Sequence, residues 1–135
     1  MAGYPQAAKG VMATLLYVDD EEVIGMVVSR FFAMRGDVVH VAQTGAQARD
    51  TIGRADPSVI FLDVWLGDES GADVMDWIVQ HHPHLASRVT FVTGEHPGAA
   101  GAPNLSRFGR PIIRKPFDLT SLSAVIDAAE NRAGT

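Results

Sequence analysis

The sequence predicts an α/β domain: a doubly wound parallel sheet with helices on both faces. Three observations point there. Short apolar runs alternate with helical patterns five times along the chain, the signature of a parallel sheet wrapped by its own connections. The runs are apolar at successive positions, as strands buried on both faces require. Their ends carry Asp19 and Asp20, Asp63, Thr93 and Lys115, and in open α/β sheets ligands bind beyond the carboxyl ends of the strands.

The elements follow in order. Leu15 to Val18 form the first strand, stopped by Asp19 and Asp20. From Glu21 to Met34 the apolar residues Ile24, Val27, Val28 and Phe31 recur at helical spacing. Glu21 and Glu22 occupy the first turn, where the helix dipole favours negative charge, and Gly36 stands where helices stop. A second strand spans Val38 to Ala42, and a helix from Gly45 to Arg54 halts before Asp56 and Pro57. The third strand, Val59 to Leu62, ends on Asp63, and a helix from Ala72 to His81 is closed by Pro83. Val89 to Thr93 and Ile112 to Lys115 make the fourth and fifth strands. A last helix, capped by Asp118, presents Leu122, Val125, Ile126 and Ala129 on one face. Between Gly94 and Gly109 the glycines and prolines leave room only for a short or irregular fourth helix, over Asn104 to Phe108.

The bulk composition narrows the function. A chain of 135 residues with 47% hydrophobic and 20% charged residues folds as one domain with a proper core. The net charge of -5 argues against direct nucleic-acid binding. With no cysteine there is no disulfide framework and no thiol chemistry, and the cytoplasm is the expected compartment. No apolar run reaches the roughly 18 to 20 residues of a membrane span, so no membrane insertion is expected. Residues 1–13 read as a flexible leader, with Met12 an equally good start; residues 14–131 form the domain and 132–135 a tail.

The polar strand ends would converge on one edge of a parallel sheet. Three carboxylates packed together repel one another unless a proton or a cation neutralises them. Oxygen-only ligands at that density suit Mg²⁺, which shares itself with a phosphate. Lys115 would add a fixed positive charge and Thr93 a hydroxyl, together holding the oxygens of a phosphoryl group. Asp63 is then the nucleophile, forming an acyl phosphate.

Four segments in order, LLYVDDEE, FLDVWLGDESG with Gly71 eight residues after Asp63, FVTGE and IIRKPF, resemble the receiver domains of two-component response regulators over Thr14 to Asn131. The resemblance implies a flavodoxin-like (βα)5 fold with strand order 2-1-3-4-5. It implies Asp63 as phosphoacceptor, and Asp19 and Asp20 as the metal-binding acidic pair, with Asp20 the direct Mg²⁺ ligand. The backbone carbonyl of Trp65 would be a further ligand, Thr93 the switch hydroxyl, and Lys115 the family's lysine, followed by a cis peptide to Pro116. The implied donor is a phosphohistidine on a sensor histidine kinase or histidine phosphotransfer protein. Phosphorylation would switch protein–protein contacts, and the chain would be a phosphoacceptor that assists its own phosphorylation and dephosphorylation rather than an enzyme. The chain stops shortly after Asn131, which leaves open a lone receiver or one domain of a longer regulator or hybrid kinase.

The family's proline four residues after the phosphoacceptor is Gly67 here, and its aromatic three residues before the lysine is Ile112. Ile112 cannot carry the family's aromatic switch, so the 94–109 segment is expected to carry the rearrangement, with Glu95 placed to orient or repel the hydrolytic water. Bland readings hold elsewhere. Asp68 and Glu69 read as a solvated loop, and His81, His82 and His84 as a helix end rather than a metal site. Trp77 reads as packing, and Glu22 and Asp118 as helix-terminus residues. A haloacid-dehalogenase-type phosphatase needs a second Asp where this chain has Trp65. A nucleotide-binding enzyme needs GxGxxG or GxxxxGK[ST], which are absent. A flavodoxin-type electron carrier needs a phosphate loop where Asp19, Asp20 and Glu21 would repel phosphate. The remaining alternative is a docking module of the same fold that ignores phosphorylation.

Overall fold

The computed structural model describes residues 13–94 and 103–133. Five parallel strands form the sheet: β1 (Thr14–Val18), β2 (Val38–Ala42), β3 (Val59–Asp63), β6 (Val89–Thr93) and β7 (Ile112–Arg114), in the order β2-β1-β3-β6-β7. Two short strands, β4 (Trp65–Leu66) and β5 (Glu69–Ser70), pair antiparallel in a separate ribbon after β3. With the ribbon set aside, the order is the expected 2-1-3-4-5. The helices are α1 (Glu22–Arg35), α2 (Gly45–Ala55), α3 (Gly71–His81) and α4 (Leu119–Ala133). Between β6 and β7 the described residues hold a single 3₁₀ turn, Ser106–Phe108, ended by Gly109 at φ 63. The expected leader lies outside the described residues apart from Ala13, whose N–H donates to Asp37 Oδ1 (3.1 Å) and whose carbonyl accepts from Val38 (2.8 Å). Glu95 and half of the 94–109 segment, residues 95–102, also lie outside them.

Strand alternation sorts the core into two layers. Leu16, Val18, Ile60, Leu62 and Phe91 face α2 and α3 with Ile52, Val74, Met75 and Ile78. Leu15, Tyr17, Val59, Phe61 and Val92 face α1 and α4 with Val28, Phe32, Leu122 and Ile126. All five residues of β3 are buried, which fixes Asp63 at the centre of the sheet's carboxyl edge.

α1 departs from its expected stripe. The fully buried residues are Gly25, Val28, Phe32 and Arg35, while Ile24 and Phe31 are half-buried and Val27 is 49% exposed. Gly25 explains the rotation: a Cβ there would press on Val41 Cγ1 at 2.8 Å, so the glycine face is the one that lies against the sheet. Gly36 ends the helix at φ 100, with its N–H donating to Ala33 and that of Asp37 to Phe32, a paired C-terminal cap. α3 starts from a capping box made by Ser70 and Asp73.

The last residue of α1 carries a buried charge. Arg35 Nε stands 3.0 Å from Asp37 Oδ2, off the line of a hydrogen bond, and its Nη2 donates to Asp127 Oδ1 on α4 at 2.7 Å. Arg35 and Asp37 are nearly solvent-free, whereas the Asp127 side chain is 54% exposed. Removing one partner of a buried pair strands the other charge. Arg35→Met is therefore expected to cost about 3 kcal/mol and Asp127→Ala under about 1 kcal/mol. Urea unfolding at pH 7 checks both, and equal small losses would refute the ordering.

Candidate functional site

Because every neighbouring pair in the five-stranded sheet is parallel, the strand ends meet at one edge. Asp19 and Asp20 follow β1, Asp63 closes β3, Thr93 closes β6 and Lys115 follows β7. Lys115 Nζ lies 2.9 Å from Asp19 Oδ2, 3.0 Å from Asp63 Oδ2 and 3.1 Å from Glu21 Oε1. Carboxylate oxygens of Asp19, Asp20 and Asp63 fall within 4.8 Å of one another, the one metal-capable cluster among the described residues. Asp19 and Asp63 are buried and Asp20 is exposed, so the cluster opens to solvent on the Asp20 side. Thr93 is buried beside them, and its carbonyl accepts the Lys115 N–H at 2.7 Å. The peptide from Lys115 to Pro116 is cis.

A frame holds these groups. The Tyr17 hydroxyl donates to Asp19 Oδ2 and the Glu21 N–H to Asp19 Oδ1, both at 2.9 Å. The Trp65 N–H donates to Asp63 Oδ1 at 3.2 Å. Gly71 N–H donates to the Val64 carbonyl at 2.7 Å, and any Cβ on Gly71 would overlap the Asp63 carbonyl oxygen. That contact is the physical reason for a glycine eight residues after Asp63. Antiparallel pairs alternate between bonded and non-bonded positions. With Val64–Gly71 bonded, Trp65–Ser70 takes the non-bonded position, and the Trp65 carbonyl stays out of the ribbon's ladder.

The family model of the response regulator receiver domain matches residues 15–127. The chain belongs to the response regulator receiver domains. It is 31% identical over 127 residues to the probable transcriptional regulatory protein TcrX of Mycobacterium tuberculosis, covering 94% of this chain and 53% of that protein, so it spans about half the relative's length. Among solved structures, a response regulator receiver domain protein from Clostridium thermocellum superposes with a TM-score of 0.77 at 26% identity, over 91% of this chain and 98% of that one. A response regulator from Burkholderia pseudomallei, solved with a phosphorylated aspartic acid, calcium ion and citrate, gives 0.73 at 26% identity, over 90% and 72%.

The receiver's electrostatics are unbalanced by design of its topology. Three carboxylates and Glu21 face the single ammonium of Lys115. Burial pushes Asp63 up to about 6; the hydrogen bond from Lys115 opposes this, and the nearby Asp19 charge adds to it. Burial works against the charged form of Lys115 too, but its bonds to Asp19 and Asp63 outweigh that and hold the ammonium well above its usual range. Tyr17 is pushed up by burial and then by Asp19, so it stays a neutral donor.

Tyr17 and Glu21 carry no motif of their own. Tyr17 was readable only from the two-residue strand period that puts it on the face of Asp19. Glu69 is a correction: instead of lying in a solvated loop it sits in β5, half-buried and paired with Arg49 of α2. Among the histidines, the His81 ring stacks on Trp77 and bonds its carbonyl, and His84 approaches Asp56. No helix among the described residues is long and apolar enough to cross a membrane.

The Asp63 carboxyl sets a pH dependence. Its folded pKa is raised, so between about 4 and 6 the folded protein keeps a proton that the unfolded chain releases. Its contribution to stability therefore falls as pH rises through that window and stays low above it. In EDTA at pH 7.5, Asp63→Asn is expected to stabilise the receiver by ~1–2 kcal/mol after solvent screening. The gain should vanish towards pH 4. Thermal melts across that range check it, and a gain independent of pH would refute the cause.

Proposed function

We propose that this receiver accepts a phosphoryl group on Asp63 from a phosphohistidine of a sensor kinase or phosphotransfer protein in the cytoplasm. The observation that carries this is the Asp63 carboxylate at the end of a wholly buried strand, bonded to Lys115 and adjoining Asp19 and Asp20. A phosphorylated aspartic acid and a divalent ion in the similar B. pseudomallei regulator support the reading.

The donor set fits Mg²⁺: hard oxygens, excess negative charge, and one exposed carboxylate on the open side. Asp19, Asp20, Asp63 and the Trp65 carbonyl would hold it. When bound, the ion neutralises phosphoryl oxygens and so lets one anion approach another. The chain's own groups do the remainder. The Trp65 N–H and Lys115 orient the Asp63 carboxylate. An Asp63 oxygen attacks phosphorus as the bond from phosphorus to the donor imidazole nitrogen breaks, and that nitrogen keeps the electron pair. Lys115, held charged by two carboxylates, and the Thr93 hydroxyl then take the phosphoryl oxygens. Asp63 turns from an anion into a mixed anhydride carrying its charge farther out, which withdraws one partner from Lys115 and pulls on Thr93.

Beside the site, the exposed side of α1 offers a landing surface. Val23 and Val27 are 71% and 49% exposed, and with Phe117 and Leu119 they line a groove that ends at Lys115 and Pro116. An apolar helix face of the phosphohistidine partner would seat there, because the groove ends at Lys115, whose ammonium bonds Asp19 and Asp63.

Two experiments follow. With Mg²⁺ and acetyl phosphate, the protein is expected to gain one alkali-labile phosphoryl group and Asp63→Asn none; labelling of the variant at the wild-type rate would move the acceptor elsewhere. Val27→Asp is expected to slow transfer from a protein phosphohistidine donor about tenfold, the size of a lost interface anchor, while labelling by acetyl phosphate is unchanged. Equal loss with both donors would show damage to the site rather than to docking.

A further inference from the structure

The ribbon after Asp63 is too short to hold itself. β4 and β5 contribute two residue pairs, Trp65–Ser70 and Leu66–Glu69, and an isolated two-stranded ribbon of ordinary length is already marginal in water. Its tip turns through Gly67 at φ 74, a conformation that adds no stiffness. Its base is fixed by the bond from Gly71 to Val64 and by the close approach of Gly71 to Asp63. Farther out, Leu66 is buried in the core on the β4 side. On the β5 side the anchor is ionic.

Arg49 reaches from α2 and grips the Glu69 carboxylate with both terminal nitrogens: Nη2 contacts Oε1, and Nη1 lies 3.4 Å from Oε2. The two side chains are 28% and 27% exposed, so solvent screens the pair less than it would a surface pair. Gly45 shows where that carboxylate rests. It is the first residue of α2, and a Cβ on it would collide with the Glu69 carboxylate. The carboxylate thus lies directly on the N-terminal turn of α2, where the helix dipole favours an anion. One anion is held by a bidentate guanidinium and by a helix end.

We propose that Arg49 and Glu69 are positioning residues for the phosphoacceptor site: their ion pair fastens the ribbon to α2 and thereby fixes Trp65. Glu69 pairs with Leu66, next to Trp65, and Trp65 both donates its N–H to Asp63 and presents a carbonyl outside the ladder. Loosening Glu69 lets β4 drift. The carbonyl would then leave the position a metal ion needs, and the bond from the Trp65 N–H to Asp63 would loosen, opening that side of the carboxylate to water. The pair thus sets Mg²⁺ affinity and the lifetime of the acyl phosphate, a consequence that rests on the function proposed above.

The test uses the full chain in a Trp77→Phe background, so that Trp65 alone fluoresces. Variants are Glu69→Gln, Arg49→Met, their double, and the charge swap Arg49→Glu with Glu69→Arg. In metal-free protein, acrylamide quenching of Trp65 is expected to rise about twofold in each single variant, as when a local opening is released. Mg²⁺ affinity, titrated by the same fluorescence, is expected to fall about tenfold, the usual cost of a lost outer-shell partner. After labelling with acetyl phosphate and removal of the donor, the phosphoryl group should be lost faster. The double variant should be no worse than either single one, and the swap should recover part of the affinity. Quenching and affinity unchanged in both single variants would overturn the proposal, as would additive losses in the double. Failure of Asp63 labelling in the wild type sinks the proposed function instead, and the quenching arm still decides the clamp.

Discussion

The ammonium of Lys115 between Asp19 and Asp63 is the contact on which the carboxyl edge depends. The two acids end neighbouring strands, β1 and β3, and both are buried. Without a counter-charge, one of them would have to take up a proton. Lys115 comes from the edge of the sheet, beyond β6, so its reach across β6 to both acids closes the site electrostatically. One positive charge cannot balance three carboxylates and Glu21, and the excess that remains is what gives a divalent cation a place. The lysine makes the acids tolerable in the folded state without satisfying them.

Such a charge centre needs a rigid floor, and the sheet supplies it. β3 is buried on both faces by two apolar layers, so Asp63 has no freedom to retreat from its neighbours. Tyr17, neutral and buried, aims one oxygen of Asp19 from the α1 layer. Gly71 lets the start of α3 press against the carbonyl of Asp63. Rigidity ends there. The ribbon beyond it holds one buried leucine, one ion pair, the cap that Ser70 makes on α3 and the bond from Trp65 to Asp63, far less than the two apolar layers that hold β3.

What could be read from the sequence divides along the same line. The five parallel strands and the meeting of Asp19, Asp20, Asp63, Thr93 and Lys115 were legible, because apolar runs ending on polar residues are local signals and a parallel sheet turns them into one place; the order of the strands came from the resemblance to receiver domains. The groups that hold those residues were not. The buried stripe of α1 is set by Gly25 meeting Val41, a contact with another element that helical periodicity cannot anticipate. Glu69 looked like a solvated loop acid because its partner Arg49 lies twenty residues upstream, on α2. The burial of Arg35 at the end of α1 was hidden for a similar reason: Asp127, on α4, is 92 residues away.

The same division bears on how a signal leaves the site. Ile112 offers no hydroxyl and few χ1 states, so it cannot swing as an aromatic would. It packs half-buried with Phe108 and Leu105 around Phe91, whose ring lies 5.8 Å from that of Phe108. The 3₁₀ turn bearing Phe108 is tied to α3 by Arg107, whose fork holds Asp76 at 2.8 and 2.9 Å, with both side chains about half-exposed. Solvent screens a pair this exposed, so even its bidentate fork resists less than the buried contacts beneath β7. A pull on Thr93, at the end of β6, would therefore meet little resistance in residues 103–109 and far more in the core beneath β7. A two-state element yields where its contacts are cheapest to exchange, and here those contacts join the 3₁₀ turn to α3, the helix whose first residue presses on Asp63.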